Sequence, residues 1–186
     1  MQGLLTDLRQ SEGKCIMKKH VVKEYYTDAM FALLKRMALQ DITVSDLVKK
    51  SGASRASFYR NYIYKEQIIE EWLDGVFGDI LLRHPLNSDN MRSEVCNIFR
   101  DLLAHREKLS VLKNTGQLDE IDRFLYKETL AQINQLGVLN NKYQPYFFAG
   151  ATSALIKAWI QFDFSETPEE MTDIFFQSLS GYMDVG

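Results

Sequence analysis

The sequence predicts an all-α chain, on three observations. Apolar residues recur at spacings of three and four over most of its length. No alternating apolar–polar run of convincing strand length interrupts them. Gly and Pro are scarce, at ten and three of 186 residues, and each proline sits where a helix can begin or end.

Taken in order, the elements number eight or nine helices. Val22, Tyr26, Ala29, Leu33 and Met37 step by 4, 3, 4 and 4, one face of a first helix. The stretch Leu39 to Ile42 breaks it. Thr43 is placed to cap a second, short helix, with Asp46 at its third position favouring the positive helix end. That helix runs through Leu47 and Val48 to Lys50 and stops at Gly52, the residue suited to a left-handed turn. Ser54 caps a third, RASFYRNY. A longer fourth opens near Lys65, KEQIIEEWLDGVFGDILLR, and ends at His84-Pro85. Met91 to Arg106 then carries Val95, Ile98, Phe99 and Leu102 on one side. Leu118 to Leu136 carries Ile121, Leu125, Leu130 and Ile133. Tyr143 to Phe164 and Pro168 to Met183 complete the series, with Pro145 in a first turn and Pro168 suited to the first helical position.

Composition bounds the function classes. An apolar fraction of 46% supports a real core and excludes disorder. Two cysteines, Cys15 and Cys96, far apart and without CxxC spacing, make no disulfide framework and point to a reducing compartment. The longest charge-free stretch, Tyr143 to Ile156, is 14 residues and contains Pro145, short of the roughly 20 a membrane helix needs. The first residues carry Asp7 and no apolar run of signal-peptide length. The expectation is a soluble, cytoplasmic protein that contacts no membrane.

Charge is unevenly spread. Lys14 to Glu66 holds eleven Lys and Arg against five acids, whereas Gln67 to Gly186 holds ten against eighteen. A cationic front on an anionic body suits a chain that meets a polyanion at one end.

The front carries the decisive motif. Ser51-Gly52-Ala53 joins the second and third helices with the spacing of a helix-turn-helix, whose close packing demands small residues in the turn. On the third helix Phe58 and Tyr62 fall at i, i+4 and form an apolar stripe to bury. Ala56 with Arg60 and Ser57 with Asn61 form two stripes facing away, flanked by Arg55 and Tyr59. Small side chains near the start let a helix enter a major groove. Arg60 and Asn61 offer bidentate chemistry for guanine and adenine edges, or for phosphates. The N–H groups opening the second and fourth helices, beside Thr43 and Lys65, are candidate phosphate seats.

The run TVSDLVKKSGASRASFYRNYIYKEQII resembles the signature of the TetR (tetracycline-repressor-like) family of bacterial transcription regulators. Cap, turn, aromatic pair and Lys-Glu keep register over roughly residues 20–80. The resemblance implies a three-helix helix-turn-helix domain, then a C-terminal helical domain for dimerisation and ligand binding, about nine helices in all. By similarity Thr43, Ser54, Arg55, Ser57, Tyr59, Asn61 and Lys65 fall where family members touch DNA, and Arg60 joins them on the wheel above. Tyr59 and Lys65 would take phosphates. Asn61 stands where the family usually has His, and Val48 and Ser51 replace small apolar residues. The implied function is a regulator, a repressor by family default, that binds a near-palindromic operator in double-stranded DNA as a homodimer. A small-molecule effector would release it.

The implied domains are an extension over 1–17, a DNA-binding domain over 18–66 and a body over 67–186. Two features of the body await a partner. Gly150, Ala154 and Ala158 lie at i, i+4, i+8, a smooth ridge fit either for a dimer seam or for a buried helix within the subunit. Phe77, Leu81, Phe99, Leu103, Tyr126, Phe148, Trp159 and Phe162 are candidates for an effector pocket or for plain core. Gly75 and Gly78 mark either a bend or close packing.

Enzyme chemistry has little support. His20, His84 and His105 are scattered, without ligand spacing to either cysteine, so no metal is expected. No nucleophile elbow, phosphate loop or dinucleotide turn occurs, and no cofactor is expected. Cys96 reads as buried and inert or as a redox sensor. The rival from another class is an adaptor or co-regulator that keeps this fold and acts through protein–protein contacts without binding DNA.

Overall fold

The computed structural model describes residues 21–86, 89–136 and 141–180. Residues 1–17, with Cys15, and His20 lie outside them. The described residues form nine α-helices and no strand. Contacts divide the chain into two compact units, Met1–Trp72 and Leu73–Gly186.

The first unit contains α1 (21–34), a 3-10 turn at Leu39–Asp41, α2 (Val44–Ser51), α3 (Arg55–Asn61) and the start of α4 (Gln67–Arg83). Tyr26 is fully buried at its centre. Its ring meets those of Phe58 and Tyr62 edge-on, at centroid distances of 5.6 and 5.8 Å. Its hydroxyl donates to the Ser54 carbonyl at 2.8 Å. Such aromatic pairs add about 0.5–1.5 kcal/mol each beyond the area they bury. A salt bridge from Lys23 to Glu71, at 2.6 Å, ties α1 to α4.

The first helix stops at residue 34 rather than reaching Met37, because its last turn tightens with Arg36 N–H donating to Leu33 O at 2.8 Å. Met37 is therefore exposed, and the buried face is Tyr26, Ala29, Met30, Phe31 and Leu34.

The second unit holds the rest of α4 with α5 (Met91–Ala104), α6 (Arg106–Asn114), α7 (Leu118–Leu136), α8 (Gln144–Gln161) and α9 (Pro168–Ser180). The expected helix over Met91–Arg106 is α5, which stops at Ala104, and α6 follows it as a further helix. The chain turns at His105, whose N–H donates to Leu102 O at 3.0 Å, and α6 then buries Leu109 and Leu112. The main pairings are α7 along α8 and α5 along α9.

Helix α8 ends before Phe162, and the chain reverses through Asp163 and Phe164, both left-handed at φ +59° and +56°. That strain is held by Trp159. Its carbonyl accepts from Phe164 N–H at 2.9 Å, its indole donates to Glu166 O at 3.1 Å, and its ring meets Phe164 at 4.9 Å. Thr167 and Glu170 form a reciprocal capping box at the start of α9. Gly75 and Gly78 are not close-packing points, since a Cβ at either would meet nothing within 4 Å. Among the described residues no helix is long and apolar enough to cross a membrane.

Candidate nucleic-acid interface and ligand cavity

The α2–α3 pair is set by local chemistry. Thr43 Oγ1 accepts from Asp46 N–H at 3.2 Å while the Asp46 carboxylate accepts from Thr43 N–H at 2.9 Å. Hydrogen bonds from Thr43 hold the Asp46 carboxyl below its ordinary range, so this helix start carries a negative charge at neutral pH. Gly52 closes α2 at φ +71°, a conformation that Cβ disfavours. Ser54 then caps α3 by accepting from Ser57 N–H at 3.1 Å.

Helix α3 divides cleanly by exposure. Phe58 and Tyr62 are buried in the core. Burial, reinforced by the Glu71 carboxylate, holds the Tyr62 phenol far above the usual tyrosine range, so it stays neutral. Arg55, Ala56, Tyr59 and Arg60 face out as one exposed stripe. The Arg55 guanidinium lies 5.9 Å from the Tyr59 ring centroid and donates to Ser45 Oγ at 3.3 Å. Arg60 makes no hydrogen bond or ion pair among the described residues.

The other expected contacts are differently employed. Ser57 is buried and Asn61 is half-buried, its amide donating to Ser57 O at 2.7 Å. The Asn61 Oδ1 is buried without a hydrogen-bond partner among the described residues. That stripe therefore turns inward, away from the face Arg60 presents. Thr43 and Ser54 commit their oxygens to helix caps, and the Asp46 charge disfavours a phosphate beside Thr43.

Lys65 departs furthest from expectation. Its ammonium donates to the carbonyls of Leu39, Gln40 and Ile42 at 2.6, 3.1 and 2.7 Å, clamping the approach to α4 onto the 3-10 turn. Its donors are spent inside the unit. Motif reasoning passed over exposed Lys49 and Lys50 at the end of α2, which the basic bias of the front already signalled, and exposed Ile63 and Tyr64 after α3.

The second unit holds a partly open cavity of about 230 Å³. Of the eight expected residues, Phe77, Leu81, Phe99 and Phe148 line it. Trp159 is core instead, its ring 5.4 Å from that of Phe99, and Phe162 is 67% exposed beyond the end of α8. Leu103 and Tyr126 miss by one position: their neighbours Leu102 and Leu125 line the cavity, and one residue is a 100° rotation on a helix.

The ridge on α8 lies open. A Cβ at Gly150 would meet nothing within 4 Å, Ala154 is exposed and Ala158 half-exposed. Exposed Tyr143, Tyr146 and Phe147 extend the same face by helical spacing.

Comparison with known proteins bears on the fold. No protein-family model matches the chain. It is 26% identical over 164 residues to the uncharacterized HTH-type transcriptional regulator YxbF of Bacillus subtilis (strain 168), which covers 82% of this chain. The match spans only 43% of that relative's length. Among solved structures it is similar to Lin0861 of Listeria innocua, with a TM-score of 0.69 at 16% identity, covering 90% of this chain and 93% of that one. The dihydroxyacetone kinase operon activator DhaS gives 0.59 at 14% identity, with coverages of 88% and 97%. The TetR family repressor AlkX of Dietzia sp. strain DQ12-45-1b, implicated in biodegradation of n-alkanes, gives 0.54 at 16%, covering 86% and 94%. The chain has the TetR-like fold. Within this TetR-like fold the exposed stripe of α3 belongs to the first unit, and the cavity and the α8 ridge to the second.

Proposed function

We propose that the chain is a DNA-binding transcriptional regulator. It acts as a homodimer that docks α3 of each subunit in the major groove of a near-palindromic operator. A small molecule in the cavity of the second unit shifts the dimer between two geometries and releases the DNA.

The observation that carries this reading is the stripe Arg55, Ala56, Tyr59 and Arg60, exposed on the second helix of a capped helix-turn-helix. Arg60 is the sharpest member, with its fork of donors unspent and positioned for guanine or phosphate. The excess of basic residues over 14–66 supports it, as do the regulator names of YxbF, DhaS and AlkX. The open α8 ridge supports the dimer, because small residues let a partner helix approach closely and two reading heads must span half-sites ~34 Å apart or a multiple of that. Occupying a promoter gives repression. The relatives include one activator and one repressor by name, so a reporter assay with and without the chain reads the sign.

Exposed Ile63 and Tyr64 beside α3 favour the rival adaptor reading. Charge reversal at Arg60 separates the two. Arg60→Glu removes duplex binding from a regulator while leaving dimer and fold intact, and retained binding would sink the docking described here. Lys65→Glu is unsuited to this test, because it would also break the carbonyl clamp.

A further inference from the structure

The cavity's lining restricts what it can hold. It is built of Leu, Ile, Val, Met and Phe side chains from α4, α5, α7, α8 and α9, with four polar residues, Glu128, Thr129, Gln132 and Thr152. Glu128 is the only ionisable residue among the described lining residues, and it pairs at 3.0 Å with Lys127, which also holds Asp74 at 2.7 Å. A carboxylate guest would find no cation in the lining, and an ammonium guest would have to compete with Lys127 for Glu128. Either charge would give up hydration that the apolar walls do not repay.

Two lining residues carry a hydroxyl that no described residue engages. Thr129 on α7 and Thr152 on α8 line the cavity, and neither has a hydrogen-bond partner among the described residues. Thr115 and Thr172, by contrast, donate to carbonyls of their own helices at 2.9 and 2.7 Å. Gln132 has given its amide N–H to the Leu81 and His84 carbonyls at 3.3 and 3.4 Å, leaving an acceptor oxygen. Size follows from scaling. An apolar cavity of about 150 Å³ holds benzene, so about 230 Å³ takes roughly nine non-hydrogen atoms in the same proportion.

We propose that the cavity binds an uncharged lipophilic molecule with one neutral hydrogen-bonding group, such as a medium-chain alcohol or ketone, held between Thr129 and Thr152, and rejects anionic and cationic analogues of the same length. This rests on the reading of the cavity as the effector site.

The test uses the full chain with 1-octanol, octanoate, octylammonium and ethylbenzene, read by calorimetry and by the thermal midpoint. The expected result is saturable binding of 1-octanol at least tenfold tighter than either ion. In the Thr129→Val/Thr152→Val double variant 1-octanol weakens about five- to tenfold, the scale of one lost hydrogen bond, while ethylbenzene binds as in wild type and reports an intact cavity. Octanoate or octylammonium binding as well as 1-octanol would overturn the proposal, as would undiminished 1-octanol binding in the double variant or no binding of any compound. Retention of a DNA fragment is measured in parallel. If 1-octanol binds without altering retention, the effector reading fails and the ligand class stands. If octanoate releases the DNA, the effector reading stands and the ligand class fails.

Discussion

Arg60 and Lys65 sit five residues apart in one basic run, yet their surroundings give them opposite tasks. Lys65 satisfies three carbonyls from inside the unit, so Lys65→Met leaves them unpaired. We expect a loss of about 2–4 kcal/mol, read by urea unfolding. Arg60→Glu changes an exposed, unpaired side chain and should alter stability by no more than about 0.5 kcal/mol while removing DNA binding. Motif matching placed both on DNA because type and register were its only signals; which donors are already used is a tertiary fact. Asn61 and Ser57 are a like case, the amide closing onto the Ser57 carbonyl. At the α5–α6 junction, burial, aided by Arg83, lowers the pKa of His105 below 6.5. The folded state therefore holds fewer protons there than the unfolded one. Stability from this residue is full above 6.5 and is lost as pH falls through the lowered value. Between pH 7 and 5 the thermal midpoint of wild type should fall more than that of His105→Asn, and equal falls would refute the assignment.

At the scale of elements, ends were more legible than faces. Thr43, Gly52, Ser54 and Pro168 act through groups within a few residues of themselves, and each takes the position its chemistry suggests. Thr43→Ala should cost about 1 kcal/mol through the loss of the cap, measured by chemical denaturation. The associated Asp46 contribution is present above its ordinary pKa near 3.8 and disappears as pH falls through the lowered one. Helix α6 is not legible in the sequence because its nine residues bury only Leu109 and Leu112, too few to show a period. The cavity was half legible for a related reason. Choosing aromatics by type found Phe77, Phe99 and Phe148, whereas following helical phase from Val95, Ile98, Leu102 and Leu125 would have found more of the wall. Trp159 was an aromatic the core required for its turn, not for a guest.

For the molecule as a whole, the all-α class and its helix-turn-helix could be read from periodicity and one motif, while assembly could not, since the use of a smooth ridge depends on what covers it. Nothing described in this chain covers Gly150 and Ala154. Ala154→Glu should therefore leave the subunit folded and produce monomers in sedimentation velocity, with loss of affinity for a two-half-site operator. An unchanged dimer would place the seam elsewhere. The central claim, that α3 reads duplex DNA, is tested most directly by selecting genomic fragments with the purified chain at two salt concentrations, beside Arg60→Glu. The account predicts enrichment of one short palindrome, weakened steeply by salt and absent for the variant. Enrichment that survives Arg60→Glu unchanged, or no enrichment at low salt from a verified folded dimer, would contradict it.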